Sequence, residues 1–349
     1  SIFGLLAVFS SVAYFAELKS TTAHSMLFSH LIKVMIAFFI MVIFSKVNYR
    51  IVMKLSLPMV LLSWSLLIFV AIYGTEVWGA KRFINLGGFS FQPSSLAIVA
   101  LLTHLVVLIE RKIMNGTIKS FSKSFVPMMV YITITCALIG IEDFSTSGVL
   151  MGLAFILMFM GGVSKMSLGS MIVIGMLGAV TLVSASDARM SRITNYMDQV
   201  IHINSTQLDA GAGYQSQQAH IAIARGQLLG VGMGKSAQRD FLPAPYNDFI
   251  YAIIAEEYGL LGAGIVLILF TVVLIRGIVH VARKAATISA QLMATIFTLT
   301  FVLYGFVNAA VATGLFPVTG LPMPFVSYGG TSMLVSGFMI GVILNISKK

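Results

Sequence analysis

The run Phe241–Gly259 holds the residues best suited to chemistry. A proline-stiffened loop, Phe241-Leu-Pro-Ala-Pro-Tyr-Asn247, delivers Asp248 to the mouth of an apolar helix, and Glu256 and Glu257 follow two turns further in. Ionisable groups inside a membrane-length apolar segment are costly and are read by default as a functional site. A carboxylate placed there can act as a general base that takes a proton from a substrate hydroxyl. It can equally cap the helix, as Asn247 can, because a helix N-terminus favours short polar acceptors and negative charge. Both readings are open at this point. Glu256 lies about 12 Å further along the helix and within a quadrant of the Asp248 face, whereas Glu257 points roughly the opposite way. The two glutamates therefore have different jobs, one of them suited to an internal polar network.

Cations gather in the polar segments between apolar runs: Lys81, Arg82, Arg189, Arg192, Arg225, Lys235 and Arg239. Arg and Lys are the usual partners of phosphate oxygens, so a phospholipid or lipid diphosphate would suit them. A solvated, mutually paired loop surface is the plainer alternative. The glycines of Gly226-Gln-Leu-Leu-Gly230-Val-Gly232-Met-Gly234-Lys235-Ser236 fit neither phosphate-loop spacing, and no strand–helix unit precedes them. They suit tight turns beside a substrate or a helix. Asp143, next to Glu142 and followed by Ser145 and Thr146, reads as a helix cap. The six histidines show no metal-binding spacing, so no metal site is expected from them. Three prolines and three glycines in Pro317–Gly330 make a stiff, non-helical lead into the last helix. Such backbone survives at membrane depth only where it is buried or lines a polar cavity, which makes this loop an expected wall of the Asp248 site.

The elements that must position these groups are membrane helices. Hydrophobic residues make up 58% of the 349 and charged residues only 10%, far from a soluble domain. The chain reads as all-α and polytopic, with ten candidate spans at 2–16, 26–45, 51–73, 92–110, 125–142, 148–163, 167–184, 249–275, 288–313 and 326–347. The chain opens at Ser1, and 2–16 is taken as a first helix with a trimmed start rather than a signal peptide. Cys136 falls in an apolar run as a small hydrophobe. The formal charge of +10 has no soluble basic domain to carry it, so nucleic acid is not an expected partner. Basic residues beside the spans place both termini in the cytoplasm. Nearly all the acids, Asp248 included, then fall outside, together with one long polar segment, about 185–248, expected to be an ordered extracytoplasmic loop between the seventh and eighth spans. With no repeat or low-complexity tract, 1–349 is read as one membrane domain.

Taken together and in order, these motifs resemble the shape, elongation, division and sporulation family, the FtsW/RodA peptidoglycan polymerases. The resemblance runs through Trp78-Gly-Ala-Lys-Arg82-Phe-Ile-Asn-Leu-Gly-Gly88, Phe91-Gln-Pro93-Ser, Asp143 with Thr146, Tyr214-Gln215 and the turn from Gly230 to Gln238. It continues through Asp248-Phe-Ile-Tyr-Ala, Glu256-Glu257-Tyr-Gly, Gly320-Leu-Pro-Met-Pro-Phe-Val-Ser327-Tyr-Gly-Gly330 and Asn345-Ile-Ser. Gly234-Lys-Ser-Ala-Gln-Arg-Asp-Phe-Leu-Pro243 favours the FtsW-like branch over RodA.

The resemblance implies a glycosyltransferase that extends glycan strands from lipid II, an undecaprenyl-diphosphate-linked disaccharide pentapeptide, at the outer face of the bacterial inner membrane. It makes Asp248 the catalytic base. Lys81, Arg82, Arg189, Arg192, Gln215, Arg225, Lys235, Gln238, Arg239 and Ser327 become candidate substrate contacts. Asp143, Thr146, Glu256 and Glu257 become a supporting polar network. A divalent cation (Mg or Mn) could share in stabilising the leaving diphosphate, although the sequence does not demand one. The implied partners are a class B penicillin-binding protein and other divisome or elongasome membrane proteins. A lipid II flippase and a non-catalytic divisome scaffold are the competing functions. A flippase needs polar groups through the midplane, whereas most charges here crowd the outer side. The chain departs from the family pattern at Ser95 and Ile98, where Glu and Lys are usual. It departs again at Glu142 for proline, at Tyr246-Asn247 for His-Thr, and at Ala244 for an acid.

Overall fold

A computed structural model describes residues 23–77, 80–86, 89–201, 212–242 and 245–348. The expected span 2–16, with Trp78, Asp209, Ala244 and Lys349, lies outside them. Among the described residues eight helices are long and apolar enough to cross a membrane, and Phe144–Met160 is a shorter apolar helix. Together they match the nine expected spans from 26–45 onward.

The elements run α1 (Ala23–Lys46), α2 (Tyr49–Lys54), α3 (Ser56–Tyr73), β1 (Thr75–Val77), β2 (Ala80–Leu86), β3 (Phe89–Phe91) and α4 (Pro93–Met114). A π-turn at Phe121–Phe125 leads into α5 (Val126–Gly140). Then come α6 (Phe144–Met160), α7 (Lys165–Ser184), α8 (Asp187–Ile201), α9 (Ala212–Gly226), α10 (Ile250–Ile275), α11 (Ile288–Ala312) and α12 (Gly330–Ser347). The all-α expectation holds with one addition, an antiparallel sheet in the order β1-β2-β3 that pairs Glu76 with Lys81 and Asn85 with Ser90. The expected span 51–73 is interrupted at Leu55, between α2 and α3.

Contacts divide the chain into two compact units, each discontinuous in sequence. The first gathers the described residues up to Ile36 with Val183–Val273 and Val302–Gly329. The second gathers Ala37–Leu182, Leu274–Phe301 and the C-terminal helix.

In the second unit α4 is the core helix, with Ala97, Leu101, Leu105 and Ile109 fully buried. Its polar groups find partners inside the bundle. His104 Nδ1 lies 3.1 Å from Ser56 Oγ, and Trp64 Nε1 donates to Thr135 Oγ1 at 2.8 Å. At Tyr49 and the C-terminal helix, Asn345 accepts from Tyr49 N and donates to Ser45 O. Interhelical polar contacts of this kind fix register where lipid supplies no hydrophobic drive.

In the first unit the central feature is a broken helix. Gly259 has φ +67° and ψ −170°, so α10 loses its own ladder there. The turn after α9 repairs it. Val231 N and Gly232 N donate to Glu256 O and Glu257 O at 2.9 and 3.1 Å. Leu260 N and Leu261 N donate to Gln227 O and Leu228 O at 2.9 and 3.3 Å. This close approach explains the glycines: a β-carbon on Gly226 would lie 1.9 Å from Ala255 O, and one on Gly230 would lie 2.1 Å from Glu257 O.

Gly226→Ala should therefore destabilise the solubilised protein by about 3 kcal/mol or more, because backbone must move. Gly169→Ala, in helix α7 with no neighbour within 4 Å, should be neutral or stabilising by up to about 1 kcal/mol. Paired thermal melts of the two variants check this; equal melting temperatures would contradict the splice.

Candidate active site

Asp248 sits in a turn immediately ahead of α10, and the Pro317–Gly330 loop folds against that turn. Gly320 has φ +74°, and a β-carbon there would sit 3.6 Å from Asp248 Oδ2, so the glycine lies directly beside the carboxylate. Ser327, 1% exposed, donates from Oγ to Asn247 O at 2.7 Å and accepts from Met323 N at 2.8 Å. Both of these hydrogen bonds hold backbone, one of the loop and one of the Asp248 turn. Tyr328 N donates to Tyr246 O at 2.9 Å, and the two rings meet edge to face at 5.7 Å. Burial, then the Asp248 charge and Tyr328, raise the Tyr246 phenol above its ordinary 10.0, so it stays neutral. Phe325 has φ +57°, an unfavourable conformation for an aromatic residue and a mark of strain in this loop.

Two residues here were missed from sequence. Asn308, on α11 and 1% exposed, directs its Nδ2 at Leu321 O, Asp248 O and Asn247 O, at 2.8, 3.0 and 3.5 Å. Lys33 lies inside α1 with Nζ 4.1 Å from the Tyr328 ring centroid, a cation–π contact, and buried His30 stacks on the same ring at 5.3 Å. A cation within the apolar span 26–45 was the available signal for Lys33. Asn308 left none, because one amide in an apolar helix is common.

Glu256 is fully buried and forms the second constellation. It accepts from Ser236 Oγ, from Ala237 N at 3.1 Å and from Gln238 N at 3.3 Å, while Arg225 Nη1 lies 3.6 Å away. It is the internal network residue expected of one glutamate, and it shapes the Lys235–Arg239 turn. Arg239 Nη1 donates to Gly234 O and its Nε lies 3.4 Å from Asp240 Oδ1. Lys235 is exposed and Gln238 buried. Glu257 is also buried, and its carbonyl takes part in the splice. Gln215 is half-buried on α9 and Arg189 half-buried on α8. The side chain of Arg192 lies outside the described set.

The second unit holds a separate polar cluster. Arg82 on β2 donates from Nε to Glu142 O at 2.8 Å, with Nη1 4.0 Å from Asp143 Oδ2. Lys81 N donates to Glu142 Oε2 at 2.8 Å. Asp143 caps α6, accepting from Thr146 N at 3.2 Å and Thr146 Oγ1 at 2.7 Å, as its sequence suggested. Lys81, Arg82, Ser94, Glu142 and Asp143 line a small cleft with Leu67. Ile98, 4% exposed, packs in the core at the position where the family pattern carries a lysine.

The model for the family described as "Cell cycle protein", covering FtsW, RodA and SpoVE, matches residues 1–349. This chain belongs to the FtsW/RodA/SpoVE family. It is 33% identical over 358 residues to stage V sporulation protein E of Bacillus subtilis (strain 168), covering 99% of this chain and 93% of that one. It is 31% identical over 351 residues to a probable peptidoglycan glycosyltransferase FtsW of Geobacter sulfurreducens, covering 99% and 92%. Its fold is that of Thermus thermophilus RodA, with a TM-score of 0.67 at 21% identity over 99% and 94% of the two chains. A chain of a peptidoglycan synthase complex that coordinates polymerization and crosslinking gives a TM-score of 0.73 at 22% identity over 99% and 96%.

Two predictions follow from this FtsW/RodA fold. Glu256→Ala strands three donors, two of them buried, at about 1–3 kcal/mol for each buried one, so it should unfold the turn before Asp248. Limited proteolysis within 226–242 reads this out, and unchanged protection would refute the nest. His220 on α9 is the second. Burial lowers its pKa below 6.5, partly offset by a hydrogen bond to the Thr313 backbone. The unfolded chain then binds more protons, so stability should fall as pH drops through about 6.5 and be complete above it. His220→Gln should flatten that acid limb in melts across pH 5 to 8.

Proposed function

We propose that this protein is a peptidoglycan glycosyltransferase that polymerises lipid II at the outer face of the bacterial inner membrane, with Asp248 as its general base. The observation that carries the reading is the Asp248 turn. A carboxylate stands at the start of a membrane helix, its own carbonyl bound by Asn308 and the preceding Asn247 carbonyl by Ser327, in a family whose relatives include probable peptidoglycan glycosyltransferases FtsW. Asp248 takes the proton from the acceptor sugar hydroxyl as that oxygen attacks the anomeric carbon of the donor. The bond to the polyprenyl diphosphate breaks, and the diphosphate leaves with the electron pair. Cations of the Lys235–Arg239 turn stabilise its growing charge.

Among the described residues no three His, Cys, Asp or Glu side chains converge. The described residues therefore do not form a protein-built metal cage. Both termini lie in the cytoplasm in this reading. The partner is a single-span class B penicillin-binding transpeptidase of the division or elongation machinery, and the FtsW-like role in septal wall synthesis is favoured.

The test supplies lipid II to the protein purified with its transpeptidase and compares glycan products with those of Asp248→Asn. Loss of a general base should slow polymerisation by about 10²–10⁴-fold. Undiminished polymerisation by the variant would sink the base assignment. A parent protein that makes no glycan yet moves lipid II across vesicles would make it a transporter.

A further inference from the structure

We propose that Asn308 is the positioning residue for Asp248. The inference rests on the base reading above and extends it to a side chain that neither motif nor charge singles out.

One amide nitrogen faces three carbonyl oxygens: Leu321 O at 2.8 Å, Asp248 O at 3.0 Å and Asn247 O at 3.5 Å. Three acceptors around one end of the amide decide its orientation, since the flipped side chain would set oxygen against oxygen. Asn308 therefore acts purely as a donor here. It joins two segments far apart in sequence, the turn before α10 and the loop after α11. Ser327 completes the bracket from the other side of the turn through Asn247 O. The peptide carrying Asp248 is thus held at successive carbonyls. Gly320, lacking a side chain and holding φ +74°, keeps the space beside Oδ2 open.

A general base works only within hydrogen-bond reach of the proton it takes, and a misplacement of about 1 Å can cost about 10²-fold in rate. The backbone of Asp248 lies in a turn that leads into a helix broken at Gly259, so neighbouring secondary structure alone does not hold it. The buried amide supplies the missing restraint. Its donor hydrogens never reach the reacting atoms, so Asn308 acts through Asp248 and not on the sugar.

The experiment measures kcat and KM for lipid II with the full chain in complex with its transpeptidase. Asn308→Asp keeps the shape and replaces the donor by an acceptor, and Ser327→Ala removes the second clamp. Asn345→Ala serves as the matched control: it deletes another buried, backbone-bridging asparagine, in the second unit. Asn308→Asp should lower kcat by about 10–100-fold with KM within about threefold, and Ser327→Ala by about 5–10-fold with KM unchanged. Asn345→Ala should lower the melting temperature yet retain parental kcat per folded molecule.

Parental kcat in Asn308→Asp would overturn the proposal, as would an equal loss of kcat in Asn345→Ala at matched stability. If Asn308→Asp does not fold, Ser327→Ala decides, and parental kcat there overturns the bracket. Asp248→Asn is run alongside. If it remains active, the base reading has failed and the positioning role falls with it. If it is inactive while Asn308→Asp keeps parental kcat, the base stands and only the positioning role is lost.

Discussion

Every backbone polar group in an apolar surround must find a partner, and the break at Gly259 makes that constraint decisive here. A helix that unwinds inside a membrane-length segment exposes carbonyls on one side and N–H groups on the other. The chain satisfies both from one turn, with Val231 and Gly232 donating and Gln227 and Leu228 accepting. That turn cannot move away without breaking four backbone hydrogen bonds, two of them to carbonyls of the buried Glu256 and Glu257. Everything attached to it inherits its position, including Ser236 and the two amides that hold Glu256. The glycines at 226, 230 and 259 are the steric condition for such a close approach.

The same economy recurs in each unit: polar side chains serve backbone before they serve a ligand. Ser327 and Asn308 hold carbonyls of the Asp248 turn. Arg82 donates to Glu142 O, and Glu142 accepts from Lys81 N, so a sheet strand is fastened to the corner between α5 and α6. The strained Phe325 fits this pattern, because a backbone conformation that costs about 1–3 kcal/mol persists only when its surroundings over-determine it. The base role proposed for Asp248 needs that rigidity. A carboxylate on a freely sampling loop would lose rate on each turnover to conformations in which it cannot reach the proton.

Hydropathy carried the membrane architecture, since spans such as Ile288–Ala312 and Lys165–Ser184 are continuous apolar runs that no other element explains. Charge in the wrong place carried Asp248 and Glu256. Sequence order could not show the splice, because its partners at Gln227 and Leu260 are joined by backbone atoms that every residue possesses. The β1-β2-β3 sheet was missed because strands of three to seven residues leave too short an alternation to outweigh a helical background, although Gly87-Gly88 was a hairpin signal. Asn308 was invisible for a related reason: its meaning lies in three carbonyls from two distant segments. The single-residue signal of Lys33 was present in the sequence, but it was grouped with neither the loop cations nor the cytoplasmic ones.

The departures from the family pattern at Ser95 and Ile98 bear on how much of that pattern the chemistry requires. Their usual occupants, a glutamate and a lysine three residues apart on one helix, would form an ion pair inside the bundle. Taking such a pair out of water is costly, and replacing it by apolar packing of similar volume is often neutral or stabilising. Ile98 at 4% exposure shows that replacement in place, inside a helix that is already the core of its unit. A lysine alone at the buried Ile98 position, without its acidic partner, would be left uncompensated. The loss of the pair is thus compatible with the packing of α4, and the family pattern keeps its aspartate at Asp248 amid altered neighbours at Tyr246 and Asn247.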